Sequence, residues 1–176
     1  MADNENKKII KFLILILIIL TLLILWKVKN THPTLDATSQ IEVNEDFILE
    51  ANEINLDKLK NYNLPIIIDF GADSCIPCKQ MEPVLKTLNK EMQGKAIIKF
   101  VDVWKNADGA NGFPIQVIPT QVFINSNGKP YSPSEDIEID FIMYATKDTN
   151  EHIFTVHQGG LSEEQMRTIL IDMGVK

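Results

Sequence analysis

Two cysteines carry the clearest chemical signal in the sequence. Cys75 and Cys78 are the only thiols in the chain, and two residues separate them. The apolar run Ile66–Phe70 precedes them and apolar residues recur at helical spacing after them, which predicts a buried strand followed by a helix. Thiols at i and i+3 can form a disulfide within one helical turn. Unpaired N–H groups and the dipole at a helix start favour an anion, so we expect the pKa of Cys75 to fall below the free value of about 8.5.

The geometry of such a pair assigns different roles to the two thiols. Cys75, at the loop end, is expected to be exposed and to act as the nucleophile. Cys78, one turn into the helix, is expected to be shielded and to act as the resolving thiol. A Cys75 thiolate that attacks a substrate disulfide forms a mixed disulfide, which Cys78 then breaks. We expect no cofactor other than this redox-active Cys75–Cys78 disulfide.

Two structural alternatives to catalysis are open for the cysteine pair. A static disulfide across three positions closes almost no loop and would add little stability. Cys75 and Cys78 also match zinc-ligand spacing, as do His152 and His157. However, 73 residues separate the two pairs, and strand residues five positions apart point to opposite faces of a sheet. We therefore expect no metal site.

The rest of the chain after residue 45 predicts an α/β domain. Strands are indicated by short β-branched or apolar runs, and helices by apolar residues at three- and four-residue spacing. The predicted order is a strand at 47–49, a helix at 55–61, a strand at 66–70, a helix at 78–92, a strand at 96–103, a short helix at 107–113, strands at 120–124, 137–144 and 152–157, and a helix that opens at the capping box Ser162–Gln165. This order indicates a mixed sheet covered by helices.

An apolar stretch near the N-terminus predicts a membrane anchor. Residues 9–28 number 20 and would span about 30 Å as a helix, with Lys11 and Lys27 reaching towards opposite headgroup layers. A buried core helix is disfavoured because the stretch has no polar face. A cleaved signal peptide is the stronger rival, although no small-x-small cleavage site follows the stretch.

Charge and composition set the expected organisation. We divide the chain into a short cytoplasmic N-terminus (1–8), a transmembrane anchor (9–28), a linker (29–45) and a single domain (46–176). Three lysines precede the uninterrupted apolar run at 12–26 and two follow it, which favours a single-pass protein with its domain outside the cytoplasmic membrane. From residue 30 onward, 22 acidic residues outnumber 12 basic ones, so a nucleic-acid partner is disfavoured.

Residues 47–175 resemble a thioredoxin-family domain. The resemblance rests on the run from Ile68 to Lys79, which contains both cysteines, on Pro83 inside the following helix, and on the segment Val117–Thr120. In that family a buried aspartate lies six residues before the first cysteine, where this chain has Asp69. The cis-proline of the family falls at Pro119, 44 residues after Cys75. The resemblance implies the thioredoxin fold, a three-layer α/β/α arrangement around a mixed sheet.

The same resemblance implies roles for residues around the cysteines. If buried, Asp69 would have a raised pKa and could accept the proton of Cys78, although a strand-end aspartate satisfied by hydrogen bonds is the alternative. A cis Pro119 would leave the backbone of Ile118 free to pair with an extended substrate segment beside Cys75. Ile76 and Pro77, between the cysteines, are expected to contribute to the same substrate-binding surface.

Several positions depart from the family pattern. Ser74 and Gly71 stand where thioredoxins usually carry tryptophans, and Ile76 stands where they usually carry glycine. The lysine of the family near the buried aspartate aligns with Phe100, and the adjacent Lys99 is expected to face away. An extra segment at 131–150 predicts a hairpin that extends the sheet edge, with a partner-docking surface as the alternative.

Together these features predict a membrane-anchored, extracytoplasmic thiol–disulfide oxidoreductase. We expect it to reduce protein disulfides and to receive electrons from a partner in the membrane. One rival function is a disulfide-forming oxidant, and another is a non-catalytic module that binds a metal or a client protein. The reduction potential distinguishes a reductant from an oxidant, because about −270 mV is typical of thioredoxin and about −120 mV of a strong oxidant.

Overall fold

A computed structural model of the chain describes residue 14, residues 16–23 and residues 44–176. The chain divides into two compact units, Met1–Glu42 and Val43–Lys176. In the first unit, residue 14 and residues 16–23 are helical. Within these described parts of the chain, no helix has both the length and the apolar character needed to cross a membrane. Most of the expected anchor (9–28) and linker (29–45) lies outside the described residues.

The second unit is built on a five-stranded mixed sheet. Its strands are β1 (Ile66–Gly71), β2 (Ile97–Asp102), β3 (Thr120–Ile124), β4 (Ile142–Ala145) and β5 (His152–Gln158). They lie in the order β2-β1-β3-β5-β4, with β1 and β2 parallel and the other neighbours antiparallel. Every residue of β1 is buried, because helices or loops cover both faces of this central strand. The expectation of a mixed α/β fold is confirmed.

Helices cover the two faces of the sheet unequally. Helices α2 (Ile76–Glu91) and α3 (Glu163–Asp172) pack on one face, where their apolar side chains form a core with Ile67 and Phe123. The other face is covered by α1 (Leu56–Lys60), a 3₁₀ turn at Ala107–Ala110 and the loops between them. The cysteine pair therefore lies at the start of the long helix that covers the larger core.

Local sequence signals explain where the helices begin. Cys75 is the N-cap residue of α2. Pro77 lies in the first turn, where a backbone N–H would have no partner within the helix, so the missing N–H of proline costs no hydrogen bond. At α3, Ser162 accepts a hydrogen bond from the Gln165 N–H, and the Gln165 side chain accepts one from the Ser162 N–H. The predicted capping box is therefore confirmed.

Three predicted elements differ from the structure. The strand expected at 47–49 is wrong, because the Asn44 side chain caps a 3₁₀ turn at Glu45–Phe47 and only Glu50 forms an isolated bridge with the sheet. The helix expected at 107–113 shortens to the 3₁₀ turn at Ala107–Ala110. The strand expected at 137–144 covers only Ile142–Ala145, since Ile139 and Phe141 turn into the core instead of following a ladder.

The extra segment at 131–150 extends the sheet edge, as predicted. Its strand β4 pairs antiparallel with β5 at the outer edge of the sheet. Tyr131 anchors the segment, because its buried hydroxyl donates a hydrogen bond of 2.6 Å to Asp172 Oδ2 at the end of α3. The segment is thus tied to both the sheet and the helix layer.

Candidate active site

The two cysteines are joined in a disulfide at the start of α2. Their Cα atoms lie 5.2 Å apart, and Cys75 Sγ accepts a hydrogen bond of 3.4 Å from the Cys78 N–H. Cys75 is 8% exposed and Cys78 4%. The expectation of an exposed Cys75 is wrong for this oxidised state, because Ala72 and Ile118 pack against it. Cys75 is still the more exposed of the two residues.

Asp69 lies fully buried on β1, the strand that leads into the cysteine loop. Its Oδ1 accepts a hydrogen bond of 2.7 Å from Gln121 Nε2, whereas its Oδ2 is buried without a partner among the described residues. Burial raises the pKa of Asp69 from its ordinary value of 3.8 to about 7, and the hydrogen bond from Gln121 opposes this rise. A carboxyl group with this pKa exchanges protons near neutral pH.

Cys78 packs over the same face of β1. A Cβ added at Gly71, two residues after Asp69, would lie 3.3 Å from Cys78 Sγ and 2.9 Å from the Phe100 ring. Residues two apart on a strand share a face, so Asp69 and Gly71 lie on the face of β1 that Cys78 of α2 covers. A side chain at position 71 would force the Phe100 ring or the Cys78 side chain to shift.

No lysine approaches Asp69 from β2. Phe100 pairs with Asp69 across the ladder, and Lys99 pairs with Ile68 on the opposite face. The Lys99 amine is buried and donates hydrogen bonds to the carbonyls of Glu45 and Ile48, at 2.9 and 2.7 Å. Burial lowers the pKa of Lys99. The prediction that Lys99 faces away is confirmed, and the Asp69 carboxyl has an aromatic ring as its neighbour on that side.

The Ile118–Pro119 peptide bond is cis, as expected. Pro119 is buried, and its carbonyl accepts a hydrogen bond of 2.9 Å from the Gly159 N–H. Ile118 packs against the two cysteines, which brings this segment and the disulfide together. Ile76 is 74% exposed and Pro77 is also exposed at the surface beside them.

The loop before Cys75 is held by Asp102 at the end of β2. The Asp102 carboxylate accepts hydrogen bonds of 3.0 Å from the N–H groups of Asp73, Trp104 and Lys105. Partial burial raises the pKa of Asp102, but these bonds outweigh it and hold the pKa below its ordinary value. This clamp, which sequence analysis did not identify, leaves the Trp104 side chain 64% exposed.

Gln121 is the other residue that sequence analysis missed. It lies fully buried on β3, directly opposite Asp69 in the antiparallel ladder. The available signal was a long polar side chain followed by Val122, Phe123 and Ile124 in the strand predicted at 120–124. That signal did not reveal its partner, because the register between β1 and β3 is not visible in the sequence.

His152 and His157, the histidines with zinc-ligand spacing, have partners away from the cysteine pair. His152 Nε2 lies 2.8 Å from Thr155 Oγ1, and His157 Nδ1 lies 2.8 Å from the Asp140 carbonyl oxygen. Across residues 14, 16–23 and 44–176, no group of three or more His, Cys, Asp or Glu side chains is placed to hold a metal ion.

Comparison with known proteins finds matches to thioredoxins. The thioredoxin family model matches residues 47–144. The chain is 34% identical over 88 residues to a thioredoxin of Borreliella burgdorferi, a match covering 49% of this chain and 75% of that protein. It is 41% identical over 63 residues to thioredoxin 1 of Chlorobaculum tepidum, but this match covers 36% of the chain and only 62% of that protein. The X-ray structure of Fasciola hepatica thioredoxin aligns with a TM-score of 0.47 at 23% identity, covering 70% of this chain and 97% of that one.

Proposed function

The chain belongs to the thioredoxin family of thiol–disulfide oxidoreductases, and we propose that it is a membrane-anchored, extracytoplasmic member that reduces protein disulfides. The observation that carries the proposal is the Cys75–Cys78 disulfide at the N-terminus of α2, above a buried carboxyl group on β1. A disulfide that closes so short a loop contributes little to stability, which favours a redox role over a structural one.

In the proposed cycle, the reduced protein donates two electrons to a client disulfide. The Cys75 thiolate attacks one client sulfur, which forms a mixed disulfide and releases the other client sulfur as a thiolate. The Cys78 thiol then gives its proton to Asp69 while its sulfur attacks Cys75 Sγ. The Cys75–Cys78 disulfide forms, the bond to the client breaks, and the second client sulfur leaves as a thiolate. A reductant must then return two electrons to the protein.

The surroundings of the cysteines suit these roles. The Cys78 N–H that contacts Cys75 Sγ in the disulfide is one of the free N–H groups of the helix start, where a thiolate is stabilised. The pKa of about 7 at Asp69 allows this carboxylate to accept a proton near neutral pH and to release it afterwards. We therefore assign Cys75 as nucleophile, Cys78 as resolving thiol and Asp69 as proton acceptor.

The surface beside Cys75 suits an extended apolar segment of a client. Ile76 is 74% exposed, Val117 51% and Trp104 64%. Ile118 follows Val117, and in this proposal its backbone pairs with the client as a neighbouring strand would. We propose that Ile76, Pro77, Ile118 and Pro119 form the substrate-binding surface.

We base the membrane part of the proposal on the sequence. The apolar stretch at 9–28 is long enough to span a bilayer, and the lysine distribution favours a domain outside. Such an anchor would keep the domain near a membrane-embedded electron donor. Extraction of membranes at alkaline pH should leave the chain in the membrane fraction, and external protease should digest residues 46–176 in intact cells. Release at alkaline pH would contradict the anchor without affecting the redox assignment.

Trapping tests the redox function directly. The Cys78→Ser variant should accumulate mixed disulfides with client proteins through Cys75, because the resolving thiol is missing. Dithiothreitol should release these clients, and the matched Cys75→Ser/Cys78→Ser variant should capture none. Equal capture by the double variant would contradict the mechanism. The reduction potential of the wild-type protein gives the direction, since a value near −120 mV would indicate an oxidant.

A further inference from the structure

Polar side chains cross the sheet beneath α2 in a single row. Asp69 on β1 is opposite Gln121 on β3, and Gln121 is opposite His157 on β5. Residues opposite each other in an antiparallel ladder share a face, so these three side chains are neighbours. Asp69 and Gln121 are fully buried, and His157 is half-buried. A buried amide next to a buried carboxyl group needs an explanation, since unpaired polar groups are costly in a core.

The hydrogen bonds of Gln121 determine its orientation. Its Nε2 donates to Asp69 Oδ1 at 2.7 Å and to the Gly159 carbonyl at 3.1 Å, and it lies 3.4 Å from Met81 Sδ. All three partners are acceptors, so the amide nitrogen and not its oxygen must face them. This arrangement occupies one oxygen of Asp69 and leaves Asp69 Oδ2, together with Gln121 Oε1, without a protein partner in the described part of the chain.

We propose that Gln121 is a positioning residue for the resolving half of the exchange, holding Asp69 by Oδ1 so that Oδ2 is open to the proton of Cys78. The assignment rests on the proposed function and deepens it. In the step concerned, the Cys78 S–H bond breaks, its proton moves to Asp69 and its sulfur bonds to Cys75 Sγ. The client sulfur leaves with the electron pair of the broken mixed disulfide. Gln121 itself neither takes up nor releases a proton or an electron.

The other groups that face Asp69 cannot replace Gln121 as a donor to the carboxylate. From β2 the neighbour is the phenyl ring of Phe100, and from α2 the sulfurs of Met81 and Cys78 pack over this face.

The charged or titratable side chains in this part of the domain do not replace Gln121 as a donor to Asp69 either. Lys99 points to the opposite face, where its amine is bonded to backbone carbonyls. His157 is separated from Asp69 by Gln121 along the row, and its Nδ1 contacts the Asp140 carbonyl. Lys79, Glu82 and Lys86 line a cavity of about 40 Å³ that opens beside Cys78. Removal of Gln121 should therefore leave the buried carboxylate without its donor.

The test separates the two half-reactions. Reduced full-length protein in a mild detergent is mixed with an aromatic disulfide whose released thiol absorbs light. Attack by Cys75 releases the first aromatic thiol, and resolution by Cys78 releases the second. In Gln121→Leu and in the near-isosteric Gln121→Met, the pH midpoint of the second phase should rise by about 1–2 pH units, because a hydrogen bond to a charged group is lost. At pH 7 the second phase should slow about 5- to 50-fold, and the first phase should keep its rate.

Two controls make the result specific. Val122→Ala alters an equally buried neighbour on the opposite face of β3, and it should leave both midpoints unchanged. In an Asp69→Asn background, Gln121→Met should cause no further shift in the second phase. An unchanged midpoint in folded Gln121→Met, or an equal shift in the Asp69→Asn background, would overturn the assignment.

A measurement on the wild-type protein covers the case in which the variants do not fold. The side-chain amide protons of Gln121, observed by NMR, should shift with the same pH midpoint as the Asp69 carboxyl carbon. If the Gln121 amide protons do not shift at the pH where Asp69 ionises, the assignment would also be overturned. Failure of the proposed function would appear differently, as absence of both absorbing phases in wild-type protein.

Discussion

Asp69→Asn should remove a pH dependence from the stability of the oxidised protein. The Asp69 pKa rises from 3.8 to about 7 on folding, because burial penalises the carboxylate more than Gln121 stabilises it. The unfolded state therefore loses this proton at lower pH than the folded state does. The stabilising difference is fully present below about pH 4 and is lost as the pH rises through about 7.

The structure sets the size of this effect. Asp69 is 0% exposed, so solvent screening does not reduce it. Two pH units separate pH 5 from a pKa of about 7, and each corresponds to about 1.4 kcal/mol. Ionisation of Asp69 should therefore reduce the free energy of unfolding by about 3 kcal/mol between pH 5 and pH 8. Asp69→Asn preserves the side-chain shape and an acceptor for Gln121 but cannot ionise.

Urea denaturation of the oxidised full-length chain in detergent, at pH 5 and pH 8, measures the difference. The wild-type protein should lose about 3 kcal/mol more than Asp69→Asn between the two pH values. Asp102→Asn is the matched control, because the pKa of Asp102 is lowered and this group is ionised in both states throughout the interval. It should change the stability equally at both pH values. The same pH dependence in wild-type protein and Asp69→Asn would refute the argument that burial of Asp69 is the cause.

Three further substitutions test the surrounding structure by chemical denaturation. Gly71→Ala should destabilise the protein by about 1–3 kcal/mol, since the new Cβ would lie 2.9 Å from the Phe100 ring; an unchanged stability would mean that the ring moves freely. Tyr131→Phe should cost about 2 kcal/mol through loss of the 2.6 Å hydrogen bond to Asp172, and a neutral result would show that the extra segment is held by packing alone. Ser162→Ala should cost about 1 kcal/mol as a lost helix cap, measurable as a lower denaturation midpoint, and a result near zero would mean that this helix end does not depend on its cap.

Elements governed by local signals could be predicted closely. The strand expected at 66–70 is observed at Ile66–Gly71, and the strand expected at 120–124 is observed at Thr120–Ile124. Predictions failed where the choice depended on distant partners. The apolar residues at 47–49 suit a strand, but the Asn44 cap stabilises a turn at Glu45–Phe47 and only Glu50 forms a bridge with the sheet. At 137–141, the side chains of Ile139 and Phe141 pack against the core, whereas an edge strand would have exposed apolar side chains there.

The residues alone indicated the cysteine pair and its place before a helix, and the resemblance to thioredoxins added Asp69 and Pro119. The cysteine pair and the helix start depend on features within a few positions, namely helix-start N–H groups, capping and the alternation of apolar residues. Tertiary structure alone decided that Gln121 meets Asp69, that Phe100 and Cys78 fill the space above Gly71, and that Ile118 covers Cys75. Strand register and helix packing bring together residues tens of positions apart, and no local pattern encodes which of them will touch.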